Sequence, residues 1–220
     1  MAEKKLKTLI TFVQDETGSM GHIEEATVSA FNEYFDGLRK EKGLGSVSVL
    51  VMQFSDAPPE ERVRILHDGP LAKVPTLDSE SYRPRGVTPL LDAVGTAIKQ
   101  AEGKEVDRHL LIVQTDGIEN ASRDFTYEQI AKLVKKKEKA KNWTLVFLGA
   151  GVNQWARQTA QMGATLKSTM GTVASAGGMS SAYAGLRGQT VSYLASTDLA
   201  DKGFAGKAAQ RMKEDEEDNS

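Results

Sequence analysis

The sequence contains no cysteine among its 220 residues, so disulfides and thiolate metal sites are excluded. It also has no apolar run long enough to span a membrane. Its 28 basic and 30 acidic side chains nearly cancel, and a net charge of −2 gives no general reason to expect nucleic acid as a partner. The first apolar run ends at Val13 without a small-residue cleavage site, which favours a strand over a signal peptide. We therefore expect a cytoplasmic protein with no membrane association.

What the sequence does contain is a regular alternation of strand and helix patterns. Short β-rich apolar runs cover residues 6–13, 47–54, 61–66, 109–116 and 143–149, and helical apolar stripes cover residues 23–38, 89–101, 126–141 and 154–162. Because strands that alternate with helices pair in parallel, the pattern predicts an α/β fold. The sheet would be doubly wound and mostly parallel, with helices on both faces.

The composition changes after residue 162 and again near the end of the chain. Residues 169–196 are rich in Gly, Ala, Ser and Thr, yet apolar residues between Met179 and Leu194 predict one more helix there. Residues 197–220 form a polar tail that becomes strongly acidic. We expect one domain over residues 1–196, with its core at about 5–165, followed by this tail.

Oxygen-bearing side chains follow the ends of predicted core strands or precede a core helix. Asp15, Thr17 and Ser19 follow the first strand, Thr88 precedes the helix at residue 89, and Asp116 ends the strand at residues 109–116. Ligands of parallel α/β sheets bind beyond the carboxyl ends of the strands. If the first strand and the strand at 109–116 are neighbours, these side chains meet at one edge of the sheet.

The chemistry of these side chains indicates which ion they would hold. Two carboxylates and three hydroxyls are hard oxygen donors, which suit Mg²⁺, Mn²⁺ or Ca²⁺ rather than Zn²⁺ or Cu²⁺. The hydroxyls are neutral ligands, and a face of the ion that is left to water remains electrophilic. We therefore expect a face of the ion to attract an Asp or Glu carboxylate of a partner protein.

Three segments, "DETGSM", "TPLLDA" and "TDGIEN", resemble in this order the metal-ion-dependent adhesion site (MIDAS) of von Willebrand factor type A domains. The resemblance implies that Asp15, Thr17, Ser19, Thr88 and Asp116 are the metal ligands, although the family more often has serine where Thr17 stands. It also implies a mostly parallel sheet with one antiparallel edge strand, for which "ERVRIL" is the candidate. The implied function is that of a binding module without enzymatic activity. A scaffold or assembly role inside a bacterial or phage-infected cell would fit it.

Other residues of these loops receive secondary interpretations. Gly18 is expected to let the backbone turn sharply, and Gly117 and Asn120 are expected to shape the third loop. Glu16 lies inside the first loop and is expected to be exposed towards an approaching partner. His22 lies near the same edge and is expected to be an ordinary surface side chain.

Several other interpretations of these patterns remain open. Asp15, Thr17 and Ser19 could cap the following helix without binding a metal. The chain could instead be a metal-dependent phosphoester hydrolase, although phosphatases that begin with an Asp-led loop need a second aspartate at the position of Thr17. Self-association is a third hypothesis, in which the acidic tail reaches a neighbouring copy's metal. Six lysines between residues 132 and 141 favour a solvated helix face over nucleic-acid binding, since no aromatic residues are interleaved.

Overall fold

A computed structural model describes residues 5–150, 152–165, 169–172 and 175–199 of the chain. The predicted tail lies outside these described residues from residue 200 onward. The elements in chain order are β1 (Lys7–Asp15), α1 (Glu24–Lys40), β2 (Ser46–Phe54), β3 (Val63–Pro70), α2 (Leu90–Glu102), β4 (Arg108–Thr115), α3 (Tyr127–Lys139), β5 (Trp143–Ala150), α4 (Val152–Gln161), β6 (Thr169–Thr172) and α5 (Ala176–Ala195). Two short 3₁₀ turns, Gly18–Ile23 and Leu71–Lys73, join these elements. None of the helices within the described ranges is long and apolar enough to cross a membrane.

The strands form one sheet in the order β3-β2-β1-β4-β5-β6. The β3 strand runs antiparallel to β2, and the remaining neighbours are parallel. This confirms the predicted α/β fold, with the antiparallel edge strand at the expected place. The β6 strand was not predicted, because its four residues carry Thr, Met and Gly without a clear apolar alternation.

The β1 strand lies in the middle of the molecule and is buried on both faces. Ile10 and Phe12 belong to the apolar core beneath α1 and α5, whereas Leu9 and Val13 belong to the core beneath α2 and α3. Successive side chains of a strand point to opposite faces, so an unbroken apolar run is what a strand between two helix layers requires. The run that looked like a signal peptide is therefore the central strand of the sheet.

The α5 helix extends the predicted helix in both directions and packs against α1. The hydroxyls of Tyr34 and Thr190 are hydrogen-bonded at 2.9 Å in this contact. Gly37 of α1 leaves room for the Arg187 side chain of α5, since a Cβ at Gly37 would lie 2.4 Å from Cδ of Arg187. The small-residue composition of this segment is thus compatible with a long helix, because tertiary packing outweighs the low helix propensity of glycine.

The α3 helix begins with the predicted capping box. Gln129 N–H donates to the Thr126 hydroxyl at 3.3 Å, and Thr126 N–H donates to the Gln129 side chain at 2.8 Å. Most of its lysines are exposed or half-buried, as expected of a solvated face. Lys137 differs, because it is only 7% exposed and forms a 2.6 Å ion pair with Glu102. Its ammonium also lies 4.1 Å from the centroid of the Trp143 ring.

His109 at the start of β4 is expected to make the stability of the protein depend on pH. Its ring stacks on that of Trp143, with the ring centroids 4.2 Å apart. Burial, together with the positive charge of Lys137, lowers the pKa of His109 from 6.5 to about 4. The unfolded chain therefore binds a proton at His109 over a range in which the folded protein does not. We expect the contribution of His109 to the free energy of unfolding to be fully present above about pH 6.5. Between about pH 6.5 and about pH 4, this contribution should fall by about 2–3 kcal/mol.

Urea unfolding measured across this pH range checks the expectation. Other groups also titrate there, so the His109→Gln variant serves as the comparison. Its stability should depend less steeply on pH than that of the wild-type protein between about pH 6.5 and about pH 4. Equal slopes for the two proteins would contradict this assignment.

Candidate metal centre

The register of the central strands places the first and third loops side by side. Gln14 of β1 is paired with Gln114 of β4, so Asp15 and Thr115 lie next to each other at the strand ends. Asp116 then follows directly after β4. The sheet order also reverses at β1, with β2 on one side and β4 on the other. Such a reversal opens a crevice beyond the carboxyl ends of the strands, where ligands of open α/β sheets bind.

The five predicted side chains meet in this crevice. The Thr88 hydroxyl donates to Thr17 Oγ1 at 3.3 Å, Thr17 Oγ1 lies 3.2 Å from Ser19 Oγ, and Ser19 Oγ donates to Asp116 Oδ1 at 2.6 Å. Asp15 Oδ1 accepts the Thr17 backbone N–H at 2.7 Å. Three loops that are far apart in sequence thus contribute to one continuous group of oxygen atoms, which we call the oxygen cluster.

The inner part of the oxygen cluster is buried and electrostatically unbalanced. Asp15 is fully buried, and this burial raises its pKa to about 7. Hydrogen bonds from Thr115 and Thr17 oppose the rise in the pKa, whereas the nearby Asp116 carboxylate adds to it. Neither carboxylate forms an ion pair with a lysine or arginine of the described residues. A cation in the crevice would supply the missing positive charge.

Gly117 leaves the space between two members of the oxygen cluster open. A Cβ at this position would lie 2.8 Å from Thr88 Oγ1 and 3.4 Å from Asp15 Oδ2. The glycine of the "TDG" segment is therefore required because Thr88 and Asp15 approach the backbone closely. The predicted structural role of Gly117 agrees with these distances.

The second loop lies between the other two and is bonded to both. On one side, Gly18 N–H donates to the Gly86 carbonyl at 3.0 Å. On the other side, Thr88 N–H donates to the Asn120 side chain at 2.8 Å, and Asn120 N–H donates to the Thr88 carbonyl at 3.1 Å. Asn120 therefore ties two loops together, as its predicted role suggested.

The predicted reason for Gly18 was wrong. Its φ is not positive, whereas that of Gly86 is +72°. Gly18 lets the first and second loops lie close together, since a Cβ there would lie 3.2 Å from the Gly86 carbonyl oxygen. The sharp turn is made by Gly86 in the second loop, which sequence reasoning did not single out.

The interpretation of Glu16 as an exposed, partner-facing side chain was also wrong. Glu16 is only 3% exposed, and its carboxylate accepts hydrogen bonds from the Arg64 guanidinium at 2.7 and 3.2 Å. The same carboxylate accepts the Arg83 backbone N–H at 2.6 Å. Glu16 therefore joins the first loop to β3 and to the segment that precedes the second loop. No local pattern around Glu16 indicates this contact, because Arg64 lies in a different element.

Two further carboxylates organise the third loop and were missed at the sequence level. Glu119 accepts the backbone N–H groups of Leu91, Ala121 and Ser122 at 2.9, 2.9 and 2.7 Å. Asp92, at the start of α2, is 2% exposed and is contacted by groups of two loops. It accepts the Arg62 guanidinium at 2.5 Å and the backbone N–H groups of Arg123, Asp124 and Phe125 at 2.9, 2.9 and 3.0 Å. The one available signal for Asp92 was its place in the first turn of a helix, where acidic residues are common.

The oxygen cluster is open to solvent on the side of Ser19 and His22. Ser19 is exposed, and the His22 side chain is 54% exposed. His22 Nδ1 lies 2.6 Å from the Ser19 carbonyl oxygen and 3.9 Å from Asp116 Oδ2. Another molecule can therefore reach the cluster from this side, while Asp15 and Thr17 remain covered.

The donors of the oxygen cluster are chemically suited to a hard divalent cation. Within the described ranges, no group of three or more His, Cys, Asp or Glu side chains could hold a metal ion. The oxygen cluster has two carboxylates, and its other donors are hydroxyls. Magnesium commonly binds through one or two carboxylates and keeps several waters, so this donor set fits Mg²⁺ and excludes metals that require sulfur or imidazole.

Neither protein-family models nor curated proteins match the sequence. Solved structures do resemble the fold. The von Willebrand factor domain of the type V pili tip protein Mfa5 from Porphyromonas gingivalis matches with a TM-score of 0.63 and 10% identity, over 86% of this chain and 96% of that chain. A von Willebrand factor type A structure from Catenulispora acidiphila matches with a TM-score of 0.57 and 14% identity, over 84% and 43% of the two chains.

The PilB minor pilin from Streptococcus sanguinis matches with a TM-score of 0.61 and 12% identity, over 86% of this chain. The match spans 62% of the pilin, so this chain corresponds to less than two thirds of that protein. At these identities the likeness concerns the fold alone. The chain therefore has the fold of von Willebrand factor type A domains.

Proposed function

We propose that the protein is a binding module that holds a partner protein through a divalent cation. Asp15, Thr17, Ser19, Thr88 and Asp116 would hold Mg²⁺, or Mn²⁺ or Ca²⁺ in its place. A partner's Asp or Glu carboxylate would complete the coordination. The observation that carries this proposal is the convergence of five hard oxygen donors from three loops at the switch point of the sheet.

The residues of the oxygen cluster have different roles in this proposal. Asp15 is buried and fixed by Thr115 and Thr17, so it provides a stationary inner charge. Ser19 lies at the open side, where an incoming carboxylate would arrive, and its hydroxyl donates to the Asp116 carboxylate, whose side chain is 4% exposed. A bound dication supplies the positive charge that attracts this carboxylate, which two like-charged aspartates would otherwise repel.

The structural comparisons add support for a binding role. The matching proteins include a pilus tip protein and a minor pilin. For this chain, that likeness supports a protein as the partner. An assembly or scaffold role inside the cell belongs to the same proposal.

Calorimetric titration with Mg²⁺, Mn²⁺ and Ca²⁺ tests the proposal, with two glycine variants as a matched pair. The wild-type protein should take up one of these ions. Gly117→Ala should weaken the uptake by about tenfold, because its Cβ displaces the Thr88 hydroxyl. Gly21→Ala, in the 3₁₀ turn after the first loop, has nothing within 4 Å of its new Cβ and should bind like the wild-type protein. No uptake of any of the three ions by the wild-type protein would overturn the proposal.

A pulldown from cells of the native host then tests the partner. We expect a protein that is retained in Mg²⁺ and lost in EDTA. Retention that is equal with and without the chelator would show that the cation does not mediate the contact.

A further inference from the structure

Two of the exposed large hydrophobic side chains lie on the loops that form the oxygen cluster. Among the described residues such side chains are Ile65, Val87, Ile118 and Leu199, between 40% and 50% exposed. Val87 directly precedes Thr88, and Ile118 is two residues beyond Asp116. Two of the four exposed side chains therefore adjoin the same site, and packing of the core does not explain their position there.

The backbone holds Val87 and Ile118 in place beside the oxygen cluster. Val87 N–H donates to Asp56 Oδ1 at 2.8 Å. Ile118 lies between Gly117, which borders Thr88, and Glu119, whose N–H donates to the Gln158 side chain at 2.7 Å. Because the loops carrying them are anchored on both sides, the two side chains can bury apolar surface of a ligand without prior ordering of the loops.

An unpaired cation accompanies these apolar side chains. Arg85 is exposed, and its guanidinium has no hydrogen bond or ion pair with any residue in the described part of the chain. Its backbone N–H donates to the Glu16 carbonyl at 2.9 Å, which fixes its position next to the first loop. We call Arg85, Val87 and Ile118 the rim. The rim offers one positive charge and two apolar surfaces next to the oxygen cluster.

We propose that the rim selects a partner segment with a particular local sequence. This inference rests on the proposed function, because the partner's metal-binding carboxylate is taken to sit in the oxygen cluster. The residue carrying that carboxylate has an apolar neighbour, which packs on Val87 and Ile118. A second acidic residue close to it pairs with Arg85. The occupant is therefore an acidic segment of another protein in which Asp or Glu alternates with apolar residues, and a purely acidic run does not suffice.

Selection from a display library of random peptides in the presence of Mg²⁺ tests the rim. Peptides whose binding depends on Mg²⁺ should be enriched in Asp or Glu with an adjacent apolar residue and a second acid. The affinity for the best selected peptide should fall by about fivefold to tenfold when Val87→Ser and Ile118→Ser are combined. In the wild-type protein the peptide would cover the exposed half of each of these side chains, and the variant lacks this apolar contact. Arg85→Ala should lower the affinity by about threefold to fivefold, as loss of one exposed ion pair does.

Controls separate this inference from the proposed function. Leu199→Ser removes a similarly exposed side chain near Asp198, whose carbonyl contacts Arg108 at the opposite end of the sheet, and should leave peptide affinity unchanged. Mg²⁺ uptake, measured without peptide, should be the same in the rim variants and the wild-type protein. A failure of Mg²⁺ uptake in the wild-type protein would overturn the proposed function itself.

Three other outcomes would overturn the rim alone. They are intact Mg²⁺ uptake with no Mg²⁺-dependent peptides, selected peptides without apolar neighbours, and rim variants that bind the selected peptide as tightly as the wild-type protein. A synthetic peptide that copies residues 209–220 forms a further arm, since it supplies five acidic residues after Met212 and Lys213. If it binds as tightly as the selected peptide, the occupant is a second copy of this chain and not another protein.

Discussion

Replacing Asp116 by alanine is expected to weaken Mg²⁺ uptake by more than about a hundredfold. The change removes one of the two carboxylates of the oxygen cluster and the acceptor of the Ser19 hydroxyl. The ion would then meet a single charge, that of Asp15, and neutral hydroxyls. Calorimetric titration measures the loss directly, and the same variant should fail to retain the Mg²⁺-dependent partner in a pulldown.

The stability of the Asp116→Ala variant separates a lost ligand from a damaged fold. Burial is the main cause of the raised pKa of Asp15, and the Asp116 charge adds to it, because the two carboxylates repel each other in the absence of a cation. In EDTA the variant should therefore be at least as stable as the wild-type protein. In millimolar Mg²⁺ the melting temperature should rise for the wild-type protein only, because a ligand that binds the folded state stabilises it.

Asp124→Ala is the matched control for this experiment. It removes the same charge from the same loop, and the exposed Asp124 side chain forms no hydrogen bond or ion pair with any of the described residues. Its Mg²⁺ uptake should equal that of the wild-type protein. If Asp116→Ala binds Mg²⁺ as well as Asp124→Ala does, the assignment of Asp116 as a ligand is wrong.

The second large effect concerns stability, and it is expected for Asp92→Ala. Asp92 is buried, and its carboxylate accepts the Arg62 guanidinium and three backbone N–H groups of the segment that leads into α3. Removing one partner of a buried ion pair leaves the other charge without compensation, and the N–H groups lose their acceptor as well. We expect the free energy of unfolding to fall by about 3–5 kcal/mol.

Urea unfolding of the purified variants measures this loss. Asp92→Asn keeps an acceptor oxygen for part of the N–H groups and should lose less, which provides a second variant if Asp92→Ala does not fold. Asp124→Ala, one residue from Arg123, should stay within about 0.5 kcal/mol of the wild-type protein. A loss below about 1 kcal/mol for Asp92→Ala would show that the contacts of the Asp92 carboxylate contribute little to the stability of the fold.

The meeting of Asp15 and Asp116 could be predicted from the sequence because both follow from the order of the strands. Asp15 and Asp116 come at the ends of apolar strands, and neighbouring parallel strands bring such ends together. The capping box at Thr126 was equally local, since its partner Gln129 is three residues away. Structural features that depend on the direction of strands, or on residues within one turn of each other, can be predicted from a single sequence.

The supporting contacts were not predictable, because they join distant elements through single side chains. Glu16 was interpreted as a surface residue, and only the folded chain brings Arg64 of β3 to it. The charge of Asp92 likewise gave no sign that Arg62 and the loop after residue 122 would surround it. Gly86 was overlooked because nothing in the sequence distinguishes a positive φ there from an ordinary loop glycine. Such contacts depend on three-dimensional arrangement and carry no periodic signal.

The pairing of Gln14 with both Gln53 and Gln114 fixes the oxygen cluster and the two apolar cores with the same alignment. Inserting or deleting one residue in β1 would move Asp15 out of level with Thr115. It would at the same time turn Phe12 and Val13 to the wrong faces of the sheet. We therefore expect that neither evolution nor protein engineering can change the length of this strand without loss of the fold, whereas substitutions in the loops can alter binding preferences.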